Sequence, residues 1–381
     1  MMVDELPQAS TITKSQASPD VLVVGAGIIG LSIAWKLTEG GAQVLVLDAG
    51  SAAAEASWAG AGMLTAGSEL RKADPWLPLG LEGLDAYPGY VRRLSEQSGL
   101  SIDYRECGAI EVAASAQEWE ELARRARFQS RHGMAVEVID SEEEIRRMAP
   151  GLAREFSHAL YYPRDAVVNP RDVTAALRVI LQRLGCRVEE NSPALAIRCR
   201  AGECVVETPQ GSIRSATVVM AAGAWSSSIP VESDETPVRL PRSVPVKGHR
   251  IGYQLPPGRR GPVLRHGHAY LLQRSGGLLI AGSNEERIGF DRSLDPAAAS
   301  DLARRAAHLM PELAEMEPAE VWIGFRPAVR KNVFPVGNWV APRICLAYGH
   351  YRNGILMAPS TAQRIASGIL AGAGSAWQAS A

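Results

Sequence analysis

The stretch VLVVGAGIIGLSIAWKLTEGGAQVLVLD, residues 21–48, sets the architecture of this chain. It opens with a run of apolar, mostly β-branched residues that stops at Gly25, as a buried strand does. The residues that follow repeat apolar side chains along one face of a helix, and the glycine pair beginning at Gly40 ends that helix. A second apolar run ends in Asp48. Strand, turn, helix and strand in this order predict a parallel βαβ unit.

Three glycines mark the turn between the first strand and the helix. Gly25 permits a tight turn, Gly27 lets the backbone approach a pyrophosphate, and Gly30 lets the helix pack closely on the strand. The free N–H groups and the positive dipole end of the helix then face the phosphates. Asp48 can accept hydrogen bonds from an adenosine ribose, and its charge disfavours the 2′-phosphate of NADP. The sequence therefore predicts a dinucleotide site.

The next segment bears on the choice between NAD and FAD. Residues 55–64, EASWAGAGML, are small and rich in glycine and alanine. Such a loop lets backbone N–H groups approach a large flat ring, which a Rossmann dehydrogenase domain does not need at this place. A tightly packed helix start is the other interpretation, and these residues alone leave it open.

Size and composition limit the remaining possibilities. The chain has 381 residues, enough for two domains, and its 46% hydrophobic and 21% charged residues are typical of globular proteins. A net charge of −1 gives no basic excess, which argues against a nucleic-acid partner. No apolar stretch is long enough for a membrane span, and residues 1–19, which lack the apolar centre of a signal peptide, are expected to form a flexible leader. We therefore expect a cytoplasmic protein.

The five cysteines are scattered and form no CxxC pair, so we expect reduced thiols rather than a disulfide framework. Cys199 and Cys204 are the nearest two, but they have no histidine partner nearby and make a poor zinc site. No metal is predicted.

Nucleotide-binding elements at the start, middle and end of the chain enclose segments of another kind. A helix is predicted over 90–100, further strands within 187–208 and 217–225, a last strand over 344–350 and a last helix over 354–371. Residues 243–285 instead resemble antiparallel strands separated by Gly/Pro turns. We predict an α/β fold in which a Rossmann-like cofactor domain carries an inserted α+β substrate domain built on an antiparallel sheet. The predicted boundaries are 20–90, 150–230 and 320–375 for the cofactor domain, and 91–149 and 231–319 for the substrate domain.

Four stretches carry a resemblance to a known family. They are VVGAGIIG (23–30), SWAGAGML (57–64), VVMAAGAWS (218–226) and GHYRNGILMAP (349–359), with GFRP (324–327) a short distance before the last. These motifs resemble the bacterial glycine oxidases of thiamine biosynthesis (ThiO type), in the D-amino-acid oxidase and sarcosine oxidase superfamily of FAD-dependent enzymes. The resemblance covers nearly the whole chain.

The resemblance implies which residues hold FAD. The phosphate turn, the ribose acid, the small-residue loop, one adenine contact and the last motif should all contribute. The implied cofactor-binding residues are Gly25, Gly27, Ile28, Ile29, Gly30, Asp48, Ala49, Ala56, Ser57, Ala61, Gly62, Met63, Ala194, His350, Tyr351, Arg352, Asn353, Gly354, Ile355 and Leu356. No cysteine lies between residues 205 and 344, where the sarcosine branch tethers its flavin, so FAD should be non-covalent and Cys345 a core residue.

Four residues are candidates for the substrate site. Arg326 is a lone charge in the buried-strand context VWIGFRPAV, which is costly unless a substrate carboxylate or a protein acid pairs with it. The resemblance favours the carboxylate, and it also places Arg352 near the substrate, although a surface arginine at a helix start is the plain alternative. His268 and Tyr270 alternate in HGHAYLLQR and would share one face of a strand, which the resemblance puts over the flavin. A half-buried sheet face is the other interpretation of this pair.

Two residues depart from the family pattern. The ribose acid is Asp48, where glutamate is commoner. Glu285, in GSNEERIGFD, falls where the family usually has an apolar residue lining the pocket. It either changes which amine fits or faces solvent, and the sequence does not decide between these.

The implied reaction is oxidation of glycine or a related small amino acid or N-methyl amine. Hydride transfer to flavin N5 needs no general acid or base, so no catalytic acid or base is predicted. Dioxygen would be the acceptor and hydrogen peroxide a product. The alternatives are a D-amino-acid or proline dehydrogenase with another acceptor, and a non-catalytic or tRNA-modifying flavoprotein that keeps only the fold. A homo-oligomer is left open.

Overall fold

The computed structural model describes residues 18–67, 72, 74–200, 202–258, 261–330, 333 and 335–372. The predicted leader lies almost wholly outside these residues. The α-helices are, in chain order, α1 (Ile28–Glu39), α2 (Ala56–Ala59), α3 (Leu77–Ser98), α4 (Ala116–Arg131), α5 (Glu142–Met148), α6 (Pro170–Arg183), α7 (Pro296–Leu309) and α8 (Ala358–Leu370). Within the described part of the chain, none of them is long and apolar enough to cross a bilayer.

The strands of the described residues run in chain order from Val21 to Leu346. They are β1 (Val21–Val24), β2 (Val44–Leu47), β3 (Met63–Leu64), β4 (Tyr104–Arg105), β5 (Ala109–Ala113), β6 (Glu137–Ile139), β7 (His158–Tyr162), β8 (Ala166–Val168), β9 (Arg187–Glu189), β10 (Ala196–Arg200), β11 (Glu203–Thr208), β12 (Gly211–Ser215), β13 (Thr217–Met220), β14 (Val231–Ser233), β15 (Val244–Gln254), β16 (Val263–His266), β17 (Ala269–Gln273), β18 (Leu278–Gly282), β19 (Glu320–Ala328), β20 (Trp339–Ala341) and β21 (Ile344–Leu346). Two 3₁₀ helices span Gly223–Ser228 and Pro311–Glu315.

The βαβ unit lies at the centre of a six-stranded sheet of order β20-β21-β13-β1-β2-β9. All neighbours run parallel except the edge strand β20. Val21 and Val23 pack into the core that contains α1, whereas Leu22 and Val24 pack into a second core on the opposite face. A strand covered on both faces is apolar throughout, which explains the run that opens the sequence motif. The predicted α/β, Rossmann-like fold is confirmed.

A second sheet has eight strands in the order β19-β15-β18-β17-β16-β5-β7-β6. Strands β15 to β18 pair antiparallel in it, as predicted for residues 243–285, and β19 pairs antiparallel with β15. Two strands within the ranges predicted for the cofactor domain, β7 and β19, belong to this sheet, because β7 pairs with β5 and β19 pairs along most of β15. The domain boundaries themselves stay a prediction.

Two helix boundaries differ from those predicted. The sequence predicts a helix over 90–100, but α3 begins at Leu77 and continues through Pro88. Gly83 lets this helix pack closely on the turn before α8, because a Cβ there would collide with the Leu356 carbonyl. The final helix begins at Ala358, after a turn over 354–357, rather than at Gly354.

The prediction of reduced thiols is wrong for one pair. Cys199 on β10 and Cys204 on β11 form a disulfide, with their Cα atoms 4.2 Å apart. The two residues are directly opposite each other in the antiparallel pair, a register that sequence spacing did not reveal. Cys107, Cys186 and Cys345 are free, and Cys345 is buried as predicted.

Candidate active site

The glycine turn lies against the strand next to β1. Gly25 has a φ of +109°, and a Cβ on it would lie 2.5 Å from the carbonyl oxygen of Ala221. A Cβ on Gly30 would collide with the Gly25 carbonyl, so this glycine permits the close packing of helix on strand. Gly27 is open except for Ser57 Oγ, 3.3 Å from where its Cβ would be. The turn therefore has the shape that a close backbone approach to a phosphate requires.

Asp48 follows β2 and holds the turn in place. Its carboxylate accepts hydrogen bonds from the N–H groups of Ala26 at 2.7 Å and Gly50 at 2.9 Å. Desolvation raises the pKa of Asp48 above its ordinary value, and these two hydrogen bonds oppose that rise. Each carboxylate oxygen has a second lone pair. Asp48 is thus able to accept ribose hydroxyls while it fixes the loop.

The small-residue loop after Asp48 is tied to both sheets. Ser57 Oγ accepts the N–H of Ile28 at 2.9 Å, which joins the loop to the start of α1. The Trp322 indole N–H donates to the Ala59 carbonyl at 3.0 Å. Arg274 donates to the carbonyls of Gly60 and Ala61 at 3.2 Å each. The loop is therefore fixed between the parallel sheet and the second sheet.

These elements enclose one cavity of about 1110 Å³, which runs from the glycine turn to the second sheet. Of the predicted cofactor contacts, the residues that line it are Gly25, Gly27, Ile28, Ile29, Asp48, Ala49, Ala56, Ser57, Ala61, Gly62, Met63, Ala194, His350, Tyr351, Arg352, Asn353, Gly354 and Ile355. Gly30 and Leu356 do not line it: Gly30 packs on Gly25, and Leu356 is fully buried in the core. The roles of the lining residues toward a cofactor stay predictions.

The residues present fit FAD. Pockets for small ligands are usually about 300–1,000 Å³, so this cavity is large enough for a dinucleotide-sized ligand. The glycine turn and Asp48 lie at one part of its wall, and the four predicted substrate residues line it as well. No group of three or more metal-ligating side chains occurs among the described residues.

Arg326 is buried in the cavity wall, with 7% of its surface exposed. Its guanidinium donates to the carbonyls of Lys247 at 3.4 Å and Asn284 at 3.2 Å, and to Ser283 Oγ at 2.6 Å. No carboxylate of a described residue forms an ion pair with it. Desolvation, followed by the charge of Arg250, lowers the pKa of Arg326 to about 10, so it remains a cation at neutral pH.

Tyr270 lies in a row of residues that crosses the second sheet. Residues directly opposite one another share a face, and the pairings run from Arg250 through Gly282, Tyr270 and Arg265 to Glu111. All but Gly282 line the cavity. Because Gly282 has no side chain, the Tyr270 hydroxyl reaches across it and accepts the Arg250 Nε–H at 3.1 Å.

The far end of this row consists of buried ion pairs. Arg265 donates to Asp165 at 2.8 Å, and both side chains are almost fully buried. Arg125, on α4, pairs with Glu111 in the same way. These two arginines are therefore matched by carboxylates of the protein.

Glu285 lines the cavity and is paired. Its carboxylate accepts a hydrogen bond from the Tyr351 hydroxyl at 2.6 Å and from Arg352 Nε at 3.0 Å. Desolvation opposes its ionisation, but these hydrogen bonds and the charges of Arg352 and Arg326 outweigh it and lower the pKa of Glu285. Tyr351 holds a φ of +54°, a conformation that is uncommon for a bulky residue and concentrates at functional sites. Glu285 therefore lines the cavity, as one interpretation has it, while 36% of its side chain stays exposed, as the other has it.

The two histidines of the site differ from each other. His268 lines the cavity but lies exposed in the turn between β16 and β17, so it does not share a strand face with Tyr270 as predicted. Gly267, with a φ of +57°, forms that turn. His350 is buried and its Nε2 is 2.9 Å from Thr361 Oγ1. Burial lowers the pKa of His350 to about 3, so it is neutral.

Sequence reasoning missed Arg250, which lies in the cavity wall beside Arg326 with 8% of its surface exposed. The argument applied to Arg326, that a charge in a buried strand needs a partner, applies equally to VKGHRIGYQ on β15. That signal was available. Arg125 and Arg265 also line the cavity, but only their tertiary pairings explain them.

Comparison with known proteins finds matches over most of the chain. The family described as FAD dependent oxidoreductase matches residues 20–367. The chain is 32% identical over 351 residues to a glycine oxidase of Geobacillus kaustophilus, covering 91% of this chain and 92% of that protein. It is 33% identical over 366 residues to a bifunctional protein ThiO/ThiG of Synechocystis, covering 93% of this chain and 52% of that protein, so it spans about half of the latter. The crystal structure of the Geobacillus kaustophilus enzyme superposes with a TM-score of 0.85, at 30% identity, over 93% of this chain and 94% of that one.

Proposed function

Because the chain belongs to the FAD dependent oxidoreductase family, we propose that it oxidises glycine or a related small amino acid or N-methyl amine. It is an FAD-dependent amino-acid oxidase. The substrate loses two electrons and two protons at its carbon–nitrogen bond, and water hydrolyses the imine to a 2-oxo acid and ammonia or an amine. With dioxygen as acceptor, the electrons and protons leave as hydrogen peroxide.

The observation that carries this proposal is the state of Arg326. A guanidinium has five N–H groups, and three hydrogen bonds to described residues are seen for Arg326. N–H groups therefore remain for a carboxylate, which two parallel hydrogen bonds would hold in a fixed orientation. A buried cation without a protein carboxylate is costly, and an α-carboxylate of the substrate offsets that cost.

The remaining residues of the site position the substrate rather than transfer protons. His350 is neutral and tied to Thr361, while Glu285 is ionised and held by two donors. The Tyr270 hydroxyl accepts from Arg250, which leaves its own proton to donate to the substrate carboxylate. The chemistry that FAD supplies when bound is acceptance of a hydride from the α-carbon and return of the electrons to dioxygen. Positioning by Arg326 and Tyr270 is what the chain adds.

The proposal is tested by a peroxide assay with glycine, sarcosine and D-alanine. The Arg326→Ala variant should lose about 3–5 kcal/mol of substrate binding, on the order of 10²–10⁴-fold in kcat/KM, because it removes a buried charged partner. Its FAD content should be unchanged. Arg214→Ala is the matched control, since Arg214 is exposed and pairs with Glu203 on a different sheet. A kcat/KM for Arg326→Ala within threefold of wild type would show that the assigned role is wrong.

We further propose that the reaction serves thiamine biosynthesis, in which glycine oxidation contributes to the thiazole. The likeness to the ThiO/ThiG protein supports this place. A thiamine auxotroph that lacks its own glycine oxidase should grow without thiazole when it expresses this chain. If the auxotroph also grew when it expressed the Arg326→Ala variant, the rescue would not depend on the oxidase activity.

A further inference from the structure

Arg250 is a second buried cation of the cavity wall. Its Nε–H donates to the Tyr270 hydroxyl, and its terminal nitrogens have no hydrogen-bond acceptor or carboxylate among the described residues. In this respect it differs from Arg125 and Arg265, which line the same cavity and pair with Glu111 and Asp165. Its two terminal NH₂ groups carry four donors, enough to bind a carboxylate in parallel hydrogen bonds.

Arg250 and Arg326 approach the same place on the sheet. They lie on the neighbouring strands β15 and β19, on one face, separated by the directly opposed glycines Gly248 and Gly324. A Cβ on Gly248 would lie 2.7 Å from Arg326 Cζ, and a Cβ on Gly324 would lie 3.7 Å from Arg250 Nη1. Directly opposed Cβ positions are about 4.5–5.5 Å apart. The two guanidinium groups therefore approach each other from opposite sides, over the space that these two glycines leave on the sheet surface.

Neither Arg250 nor Arg326 forms an ion pair with a described carboxylate, so both can bind an anionic ligand. Glu285, a nearby carboxylate, is already held by Arg352 and Tyr351. After desolvation, the charge of Arg250 is the second cause of the lowered pKa of Arg326, because the two positive charges repel each other. A substrate with one carboxylate and a neutral amine carries one negative charge, which neutralises only one of the two guanidinium groups.

We propose that Arg250 binds a second carboxylate, so that the site prefers amines carrying two carboxylates over glycine. Arg326 holds the carboxylate on the carbon that is oxidised. Arg250 holds the other, on the side chain or on the nitrogen substituent. The inference rests on the proposed function and deepens it by naming the substrate class. The atom balance stays that of the proposed reaction, since the second carboxylate is bound and not transformed.

Equilibrium binding to the FAD-loaded protein tests Arg250 without turnover. Acetate is the one-carboxylate probe and malonate and succinate are the two-carboxylate probes, each titrated by calorimetry at fixed pH and ionic strength. In the wild type the better of the two dicarboxylates should bind at least about tenfold more tightly than acetate, as expected for one added charge-assisted hydrogen-bonded pair. In Arg250→Met, which keeps an unbranched side chain without charge, this ratio should fall below about twofold. Acetate affinity should fall less than dicarboxylate affinity, because Arg326 is retained.

Steady-state kinetics then identify the substrate class. Iminodiacetate, D-aspartate and D-glutamate are compared with glycine, sarcosine and D-alanine, and Arg250→Met should reverse the order of kcat/KM. Arg250→Lys should recover part of the preference, which a merely structural role would not. Unchanged dicarboxylate-to-acetate ratios in Arg250→Met, with normal FAD content and melting temperature, would overturn the inference. If no amine of either group is oxidised by the wild type while dicarboxylates still bind through Arg250, the proposed function fails and the second anion site stands.

Discussion

Replacing Gly248 by alanine tests whether the placement of Arg326, and not only its charge, makes the site work. An added Cβ would lie 2.5 Å from Nη2 and 2.7 Å from Cζ of that arginine. Carbon contacts are favourable only from about 3.5 Å, so the guanidinium must move by roughly 1 Å. Such a movement breaks its alignment with Ser283 and Asn284, to which it now donates.

The expected effect follows from that displacement. A misplacement of about 1 Å in a positioning group costs about 100-fold in rate, which corresponds to ~2.7 kcal/mol. We therefore expect kcat/KM for the best amino acid to fall about 100-fold in Gly248→Ala. Arg326 keeps its charge in this variant, and the glycine turn and Asp48 are untouched, so the FAD content should equal that of the wild type.

Oxygen uptake gives kcat/KM, flavin absorbance gives the FAD content, and thermal unfolding gives the stability. Gly276→Ala is the matched control, because a Cβ there meets nothing within 4 Å and Gly276 is exposed in the turn before β18. The control should behave as the wild type does. If Gly248→Ala retains kcat/KM within threefold at normal FAD content, the guanidinium position is not what limits the reaction.

Three further outcomes are expected. Glu285→Met should lower the glycine KM by about fivefold at low ionic strength, because it releases Arg352 for the substrate. The effect should shrink as salt is added. A KM that is unchanged at every salt concentration would place Glu285 outside the substrate site. His350 has a pKa of about 3 in the folded protein, against about 6.5 in the unfolded chain, so the folded state loses stability as the pH falls below 6.5. His350→Asn should therefore reduce, by a few degrees, the fall in melting temperature between pH 7 and 5. Melting temperatures that fall equally in the variant and the wild type would contradict this. Acid precipitation should leave all flavin in the supernatant. Cys345 is 1% exposed, and burial raises the pKa of its thiol to about 12, so it is not available as a nucleophile toward the flavin. Yellow pellets would refute non-covalent binding.

Local patterns predicted the cofactor half of the molecule well. The run before Gly25, the helix after it and Asp48 are adjacent in sequence, so strand, turn and helix follow from neighbouring residues alone. The Cys199–Cys204 disulfide was missed because it depends on strand register, which spacing does not specify. His268 was placed wrongly because a positive φ at Gly267 turns the chain just before β17.

The arginines mark where sequence reasoning stops. A charge within an apolar strand pattern predicts a buried cation that needs a partner, and this holds for Arg265 and Arg326 alike. The partner of Arg265 is Asp165, 100 residues away and brought to it only by the fold. Arg326 and Arg250 have no such carboxylate in the described part of the chain. A protein carboxylate neutralises Arg265 permanently, whereas the hydrogen bonds of Arg250 and Arg326 to described residues go to uncharged acceptors, so an anion that enters the cavity would stabilise these two further. We therefore expect the arginines without a protein carboxylate, Arg250 and Arg326, to be the ones that bind substrate.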